Sequence, residues 1–235
     1  MKIMLTGHRG FIGTALLNRL REHNLIIGFD LVDGHDLFDI ALPEEFDLII
    51  HLAGKSGVRD SMDDPAGYWH NNVEVTKRLL TRYSQTRMLI ASSSSVYEPH
   101  LNPYAASKFV IEQAAYEHPN CLCMRFHTVY SDKPRKGMFL QKLLDGELEY
   151  TTNHLRDFIH IDDLCDAIEL CMMSKLTGTI DIGTGVPTSI MDLAPGLPVM
   201  LSTPNERQFT CANTSKLSKL GFRPKHSITQ YLKNT

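Results

Sequence analysis

The sequence predicts an α/β fold, a doubly wound parallel sheet with helices on its faces, followed by a small, shortened C-terminal lobe. Three observations lead there. Short apolar runs alternate with helix-spaced segments through Phe126, the pattern of parallel β–α units. A glycine turn, Gly7-x-x-Gly10-x-x-Gly13, stands between the first apolar run and the first helical segment. After Tyr130 the alternation loosens, and Pro187, Pro195, Pro198 and Pro204 punctuate the C-terminal part of the chain.

Lys2 to Thr6 is a short apolar run that ends at Gly7, and Phe11 to Leu20 then carries apolar residues at helical spacing. Further strands are expected at Leu25 to Asp30, Asp47 to Leu52, Met88 to Ser92 and Cys121 to Phe126. Helices are expected at Val73 to Tyr83 and Tyr104 to Tyr116, the latter stopping before His118-Pro119 because the residue ahead of a proline leaves the helical region. A basic turn, Asp132 to Gly137, leads to a helix ending at Leu144. Ile161 to Met173 reads as a helix and Thr179 to Ile182 as a strand, and both can return to the first domain. The expected division is therefore a first α/β domain over 1–127, with 157–185 returning to it, and a small second lobe over 128–156 and 186–235.

The 235 residues, 43% hydrophobic and 22% charged, suit a soluble globular protein with one core and a small appended lobe. A net charge of -3 gives no general attraction for nucleic acid or an anionic membrane. Five cysteines without C-x-x-C spacing indicate neither a disulfide framework nor a metal site. There is no basic leader and no apolar run near the ~18 residues of a membrane span, so a cytoplasmic setting is expected.

Glycines between a strand and a helix let the backbone approach a pyrophosphate, which the helix N-terminus attracts through its free N–H groups. This Rossmann-type opening makes Gly7, Gly10, Phe11, Ile12 and Gly13 cofactor candidates. Asp30, closing the second strand, can accept bonds from both adenosine ribose hydroxyls and repel a 2′-phosphate, which favours NAD over NADP. Arg9, inside the turn, points the other way, since a guanidinium suits that phosphate, and NADP stays open.

Tyr104 and Lys108 stand four apart and so share a helical face. An ammonium beside a phenol favours the phenolate, whose unperturbed pKa is about 10, and makes it usable as a base near neutral pH. Ser92-Ser93-Ser94-Ser95 ends a buried strand, where α/β sheets place their ligands.

In their order these segments resemble the extended short-chain dehydrogenase/reductase family, in its NAD-dependent epimerase/dehydratase group acting on nucleotide sugars. Thr6 to Gly13 is similar to its dinucleotide turn. Gly34-His35-Asp36-Leu37 is similar to its adenine segment, which implies that Asp36 and Leu37 border the adenine. His51-Leu52-Ala53-Gly54 resembles its third-strand motif, which implies that Leu52, Ala53, Gly54 and Lys55 line the nicotinamide ribose. Asn71 or Asn72 would contact the cofactor or brace the sheet, and His127 is assigned to the cofactor side. The catalytic hydroxyl carries over to Ser93, with Ser94 as runner-up, and Lys108 would hold the ribose as well as activate Tyr104. Arg156 to Leu164 and Asp181 to Gly185 also match family segments, in which Asp157 and His160 can simply brace a loop and Asp162 cap a helix.

The resemblance implies that Arg156, Arg207 and Thr128 face the nucleotide-sugar diphosphate, although the family usually has asparagine at the Thr128 position. Family dehydratases carry Asp-Glu where Ser94 and Ser95 stand, so loss of water has no local acid. Epimerisation through a keto sugar is the first expectation. A nucleotide-sugar reductase and a dinucleotide-binding sensor are the alternatives. A homodimer through helices 73–83 and 104–116 is implied as well.

Overall fold

A computed structural model describes residues 1–201 and 203–234. From the N-terminus, β1 (Lys2–Thr6) leads into α1 (Phe11–Leu20). The elements β2 (Leu25–Phe29), β3 (Leu48–His51), α2 (Val58–Asp63), α3 (Pro65–Tyr68), α4 (Val75–Arg82), β4 (Arg87–Ser93), α5 (Pro103–Tyr116) and β5 (Cys121–Phe126) come after it. Next are β6 (Thr128–Tyr130), α6 (Phe139–Leu144), β7 (Thr151–Thr152), β8 (Leu155–His160), α7 (Ile161–Met173) and β9 (Gly178–Ile182). The chain ends with β10 (Pro187–Ser189), α8 (Ile190–Leu193), β11 (Val199–Met200), α9 (Ser215–Lys219) and α10 (Ile228–Asn234). None of the described helices is long and apolar enough to cross a membrane.

The main sheet has the order β2-β1-β3-β4-β5-β9. β1 runs parallel to both neighbours, with Thr6 opposite Phe29 on one side and His51 on the other. Strands β3 and β4 are buried along almost their whole length, which is why they read as unbroken apolar runs rather than alternating ones. The chain leaves β1 for one edge and then returns to its other side at β3, and that reversal opens a crevice beyond the strand ends.

Two local departures from the sequence expectation matter for the site. Asp30 lies outside β2 and caps a short 3-10 turn over Leu31–Asp33, its side chain accepting from the Val32 N–H. The helix expected at Val73 starts instead as a π turn over Trp69–Glu74, and regular helix begins at Val75. A π turn inserts a residue and rotates the side chains that precede α4.

A buried relay ties β1, β3 and α4 together. The Ala53 N–H donates to Thr6 Oγ1 at 3.1 Å, and Thr6 Oγ1 lies 2.7 Å from His51 Nδ1. His51 Nε2 lies 2.9 Å from Thr76 Oγ1, which donates to the Asn72 carbonyl at 2.5 Å. Every group is satisfied if His51 carries its proton on Nε2. Burial, helped by the charge of Lys108, lowers the His51 pKa to about 3, so the ring stays neutral.

The chain forms two compact units, 1–125 with 171–180, and 126–170 with 181–235. The expected return of 157–185 to the first domain is thus limited to 171–180, because β8 pairs with β6 and β10 in a separate sheet and most of α7 goes with it. Within the second unit, Asp157 is fully buried, and its carboxylate accepts from the Thr184 N–H and hydroxyl, the Gly185 N–H and the Ala212 N–H. Asp163, also fully buried, accepts from the N–H groups of Lys225 and His226 and pairs with His226 Nδ1 at 3.0 Å. Tyr130, Leu140, Phe158, Ile190, Leu193 and Ile228 form one buried apolar cluster of that unit.

Thr76→Val keeps the side-chain shape but leaves the buried His51 N–H without an acceptor. It is expected to lower stability by ~1–3 kcal/mol in urea unfolding; an unchanged midpoint would mean that the relay contributes nothing.

Candidate active site

The glycine turn is built backbone against backbone. Gly7 has φ +70°, and a Cβ there would stand 2.6 Å from the Ala53 nitrogen. A Cβ on Gly13 would stand 2.0 Å from the Gly7 carbonyl oxygen, so both positions exclude any side chain. The Gly7 N–H donates to Phe29 O at 2.8 Å and the Gly10 N–H to Gly7 O at 3.0 Å, which fixes the turn at the head of α1. Gly10 caps that helix with no side-chain hydrogen bond, so the amides of Phe11, Ile12 and Gly13 are not taken by a capping group. This bare helix start behind a side-chain-free turn fits a dinucleotide pyrophosphate.

Asp30 Oδ2 accepts the Arg9 N–H at 3.0 Å and Oδ1 the Val32 N–H at 3.1 Å, which orients the carboxylate at the crevice rim. The Arg9 side chain turns to Asp33 instead. Asp36 spends its carboxylate on its own turn, accepting the Phe38 N–H at 2.9 Å. Leu37 is buried in the main core, and Arg78 of α4 donates to the carbonyls of Leu37 and Ile40. Arg78 therefore fixes the segment after Asp36. No sequence signal marks this role, since a basic residue on an amphipathic helix reads as solvent-facing.

On the other side of the crevice, the Lys55 N–H donates to Asn72 Oδ1 at 2.8 Å. Asn72 Nδ2 donates to Lys55 O and to Ser107 Oγ. Asn71 turns back on its own helix and donates to Gly67 O, so Asn72 is the asparagine that braces the Leu52-Ala53-Gly54-Lys55 segment. The Lys55 ammonium pairs with Asp64 at 2.5 Å.

Asn102 caps α5 by accepting the Ala105 N–H at 2.7 Å, and Pro103 takes the first helical position. Tyr104 thus sits in the first turn, its ring edge-on to Tyr68 with centroids 6.2 Å apart. One turn later Lys108 is buried, and its ammonium donates to Ala91 O of β4 at 2.8 Å. Lys108 Nζ lies 3.5 Å from where a Cβ on Gly54 would stand, so the charge reaches the end of β3. Desolvation lowers its pKa to about 8, against smaller raising effects of Cys123 and Glu112.

Ser93 ends β4 and caps the turn Ser94–Tyr97, its Oγ accepting the Ser95 N–H and donating to Ser95 Oγ, both at 3.1 Å. Behind it, Ser92 Oγ donates to the buried Glu112 at 2.5 Å. Arg125 forks onto Glu112 and stacks over the Tyr97 ring at 4.8 Å from its centroid. This chain of contacts ties the serine strand end to the helix that bears Tyr104 and Lys108. Nothing in the local sequence announces Glu112 or Arg125.

His127 is buried, and burial lowers its pKa. Its Nε2 lies 4.0 Å from Asp181, beyond hydrogen-bond reach. Thr128 opens β6 opposite Phe158. Arg156 donates to Leu155 O and Gln208 O, and its Nη2 lies 2.8 Å from His154 Nδ1. Its pKa is lowered by burial first, with Glu206 opposing and Arg207 adding to the fall.

The NAD-dependent epimerase/dehydratase family model matches residues 3–183. UDP-glucose 4-epimerase GEPI42 of Cyamopsis tetragonoloba is 25% identical, over 94% of this chain and 79% of its own. UDP-glucuronate 4-epimerase 3 of Arabidopsis thaliana is 27% identical, over 98% and 74%. The solved structure of MoeE5 in complex with UDP-glucose and NAD superposes with a TM-score of 0.87 at 27% identity, covering 99% of this chain and 96% of that one. A family match over well over half its length, on a sheet and glycine turn of the expected build, places this chain in the NAD-dependent epimerase/dehydratase family.

Proposed function

We propose that this protein is an NAD-dependent epimerase of a nucleotide sugar, with UDP-sugars as the first candidates given the 4-epimerase relatives. The observation that carries the reading is the buried Lys108 ammonium, held on Ala91 O one helical turn from Tyr104 and reaching the end of β3. The glycine turn, Asp30 and the segment from Leu52 to Lys55 would hold NAD, which supplies a hydride acceptor for the reacting sugar carbon. Ser93 Oγ would hydrogen-bond the sugar hydroxyl, and Tyr104 would take its proton as the carbon becomes a ketone. The ketone would turn its other face, take the same hydride back from the reduced cofactor at carbon, and receive the proton from Tyr104 at oxygen as the inverted alcohol forms. Lys108, while charged, would favour the tyrosinate and would donate to the cofactor ribose.

Arg156, Arg207 and Thr128 would bind the nucleoside diphosphate, where a polyanion relieves the like-charge effect between the two arginines. Water elimination is disfavoured because serines, not acids, come after Ser93, and Ser95 Oγ is engaged by Ser93. An NADPH-dependent reductase is disfavoured because the Arg9 guanidinium is held by Asp33. Homodimerisation through α4 and α5 belongs to this reading, and would cover the exposed Phe109 and Tyr116.

Incubation with a panel of UDP-sugars, monitored by NMR, is expected to give a new epimer with the wild type. Tyr104→Phe should lower kcat by ~100-fold or more, the usual contribution of a positioned base. A wild type that converts none of them, or a Tyr104→Phe variant of undiminished rate, would overturn the reading.

Lys108 binds its proton more weakly in the folded chain than in the unfolded one. Between about 8 and the ordinary 10.5, the unfolded chain therefore holds more of this proton, and the Lys108 contribution to folding stability rises with pH across that window. The wild-type minus Lys108→Met difference in urea-derived stability should show that rise. A flat difference would place the Lys108 pKa near its ordinary value.

A further inference from the structure

We infer that Asp33 adds to the dinucleotide preference of this protein by holding Arg9 away from a ribose 2′-phosphate, an assignment that rests on the proposed NAD site. Arg9 belongs to the glycine turn, and its own N–H helps orient the Asp30 carboxylate. The turn thus offers a cation where a 2′-phosphorylated dinucleotide would need one. Asp33 lies three residues beyond Asp30, at the end of the turn that Asp30 caps. Its Oδ1 receives both Nε and Nη2 of Arg9 at 3.0 Å, and its Oδ2 lies 3.0 Å from His8 Nε2.

Both carboxylate oxygens of Asp33 are therefore engaged by the two basic residues of the glycine turn. His8 is fixed from behind as well: a Cβ on Gly28 would stand 2.7 Å from its ring, so the imidazole packs directly on β2. NADP meets two separate obstacles here. The Asp30 carboxylate repels a phosphate, and the Asp33 carboxylate occupies the guanidinium that could compensate it. NAD, which presents hydroxyls at that position, needs only Asp30.

The second obstacle is modest by its nature. The Arg9 side chain is 57% exposed and that of Asp33 26%, and exposed ion pairs hold weakly. A phosphate, more highly charged than a carboxylate and matched to the guanidinium fork, is a competent rival partner. Asp33 therefore biases the choice by a factor and does not block it, and replacing it should release Arg9.

The test is the dissociation constant of NAD and of NADP, by calorimetry on protein stripped of cofactor, for the wild type, Asp33→Asn, Arg9→Ala and the double variant. Asp33→Asn is expected to tighten NADP on the order of 5-fold, the size of an exposed pair, with NAD changed less than twofold. In the Arg9→Ala background the same substitution should give no gain. The cycle is repeated on Asp30→Ala protein, where NADP binding is stronger and the Arg9-dependent gain should persist. No gain in either background, or a gain that survives removal of Arg9, would overturn the assignment to Asp33. A wild type that binds neither dinucleotide would instead overturn the cofactor reading beneath it.

Discussion

A buried ammonium organises the first unit. Lys108 stands on α5 with its charge against a β4 carbonyl and beside the end of β3, and a charge so placed is costly unless it is hydrogen-bonded and opposed. The Ala91 carbonyl supplies the hydrogen bond, and Glu112, one turn further along α5, supplies opposing charge. Glu112 is in turn held by Ser92 and Arg125, so the same carboxylate ties down the strand end that carries Ser93. On the far side, Asn72 fixes the backbone at Lys55 while bonding Ser107, next to Lys108 on α5. The glycine at position 54 leaves room for Asn72, since a Cβ there would stand 2.8 Å from Asn72 Oδ1.

The relay through Thr6, His51 and Thr76 reaches Asn72 from below, because Thr76 Oγ1 donates to the Asn72 carbonyl. Sheet packing and site geometry are thus one network in the first unit. The second unit solves a simpler problem. Asp157 and Asp163 each gather backbone N–H groups distant in sequence, at 184, 185 and 212 for the one and 225 and 226 for the other. Buried carboxylates used in this way fix irregular chain where little regular structure exists to do so. Arg156 precedes Asp157 along β8 and is held by the carbonyls of Leu155 and Gln208.

The features legible in the sequence are local. The glycine spacing, the Tyr104 to Lys108 interval and the apolar strands are each written within a few residues, and the corresponding elements stand at the expected places. The features that escape it depend on contacts across the fold. Asn71 and Asn72 are indistinguishable as neighbours in the chain, and only the π turn over Trp69–Glu74 determines which one faces Lys55. Arg9 and Asp30 give opposing signals on the cofactor until Asp33 is seen to hold the guanidinium. Leu37, expected beside the adenine, is anchored in the core with Arg78 on its carbonyl, and neither contact is written in the local sequence. The division into units departs from the expected one at α7 because strand pairing of β8, invisible in its composition, draws that helix with it.

In the proposed epimerisation the reacting carbon loses its hydrogen as hydride and regains the same hydrogen on the opposite face. A UDP-sugar carrying deuterium on the carbon that inverts tests this directly when it is turned over many times in ordinary water. Full retention of deuterium at that carbon in both epimers is the predicted result. Progressive exchange of that deuterium for solvent hydrogen would contradict it, because the inversion would then proceed by proton abstraction from carbon and not by hydride transfer.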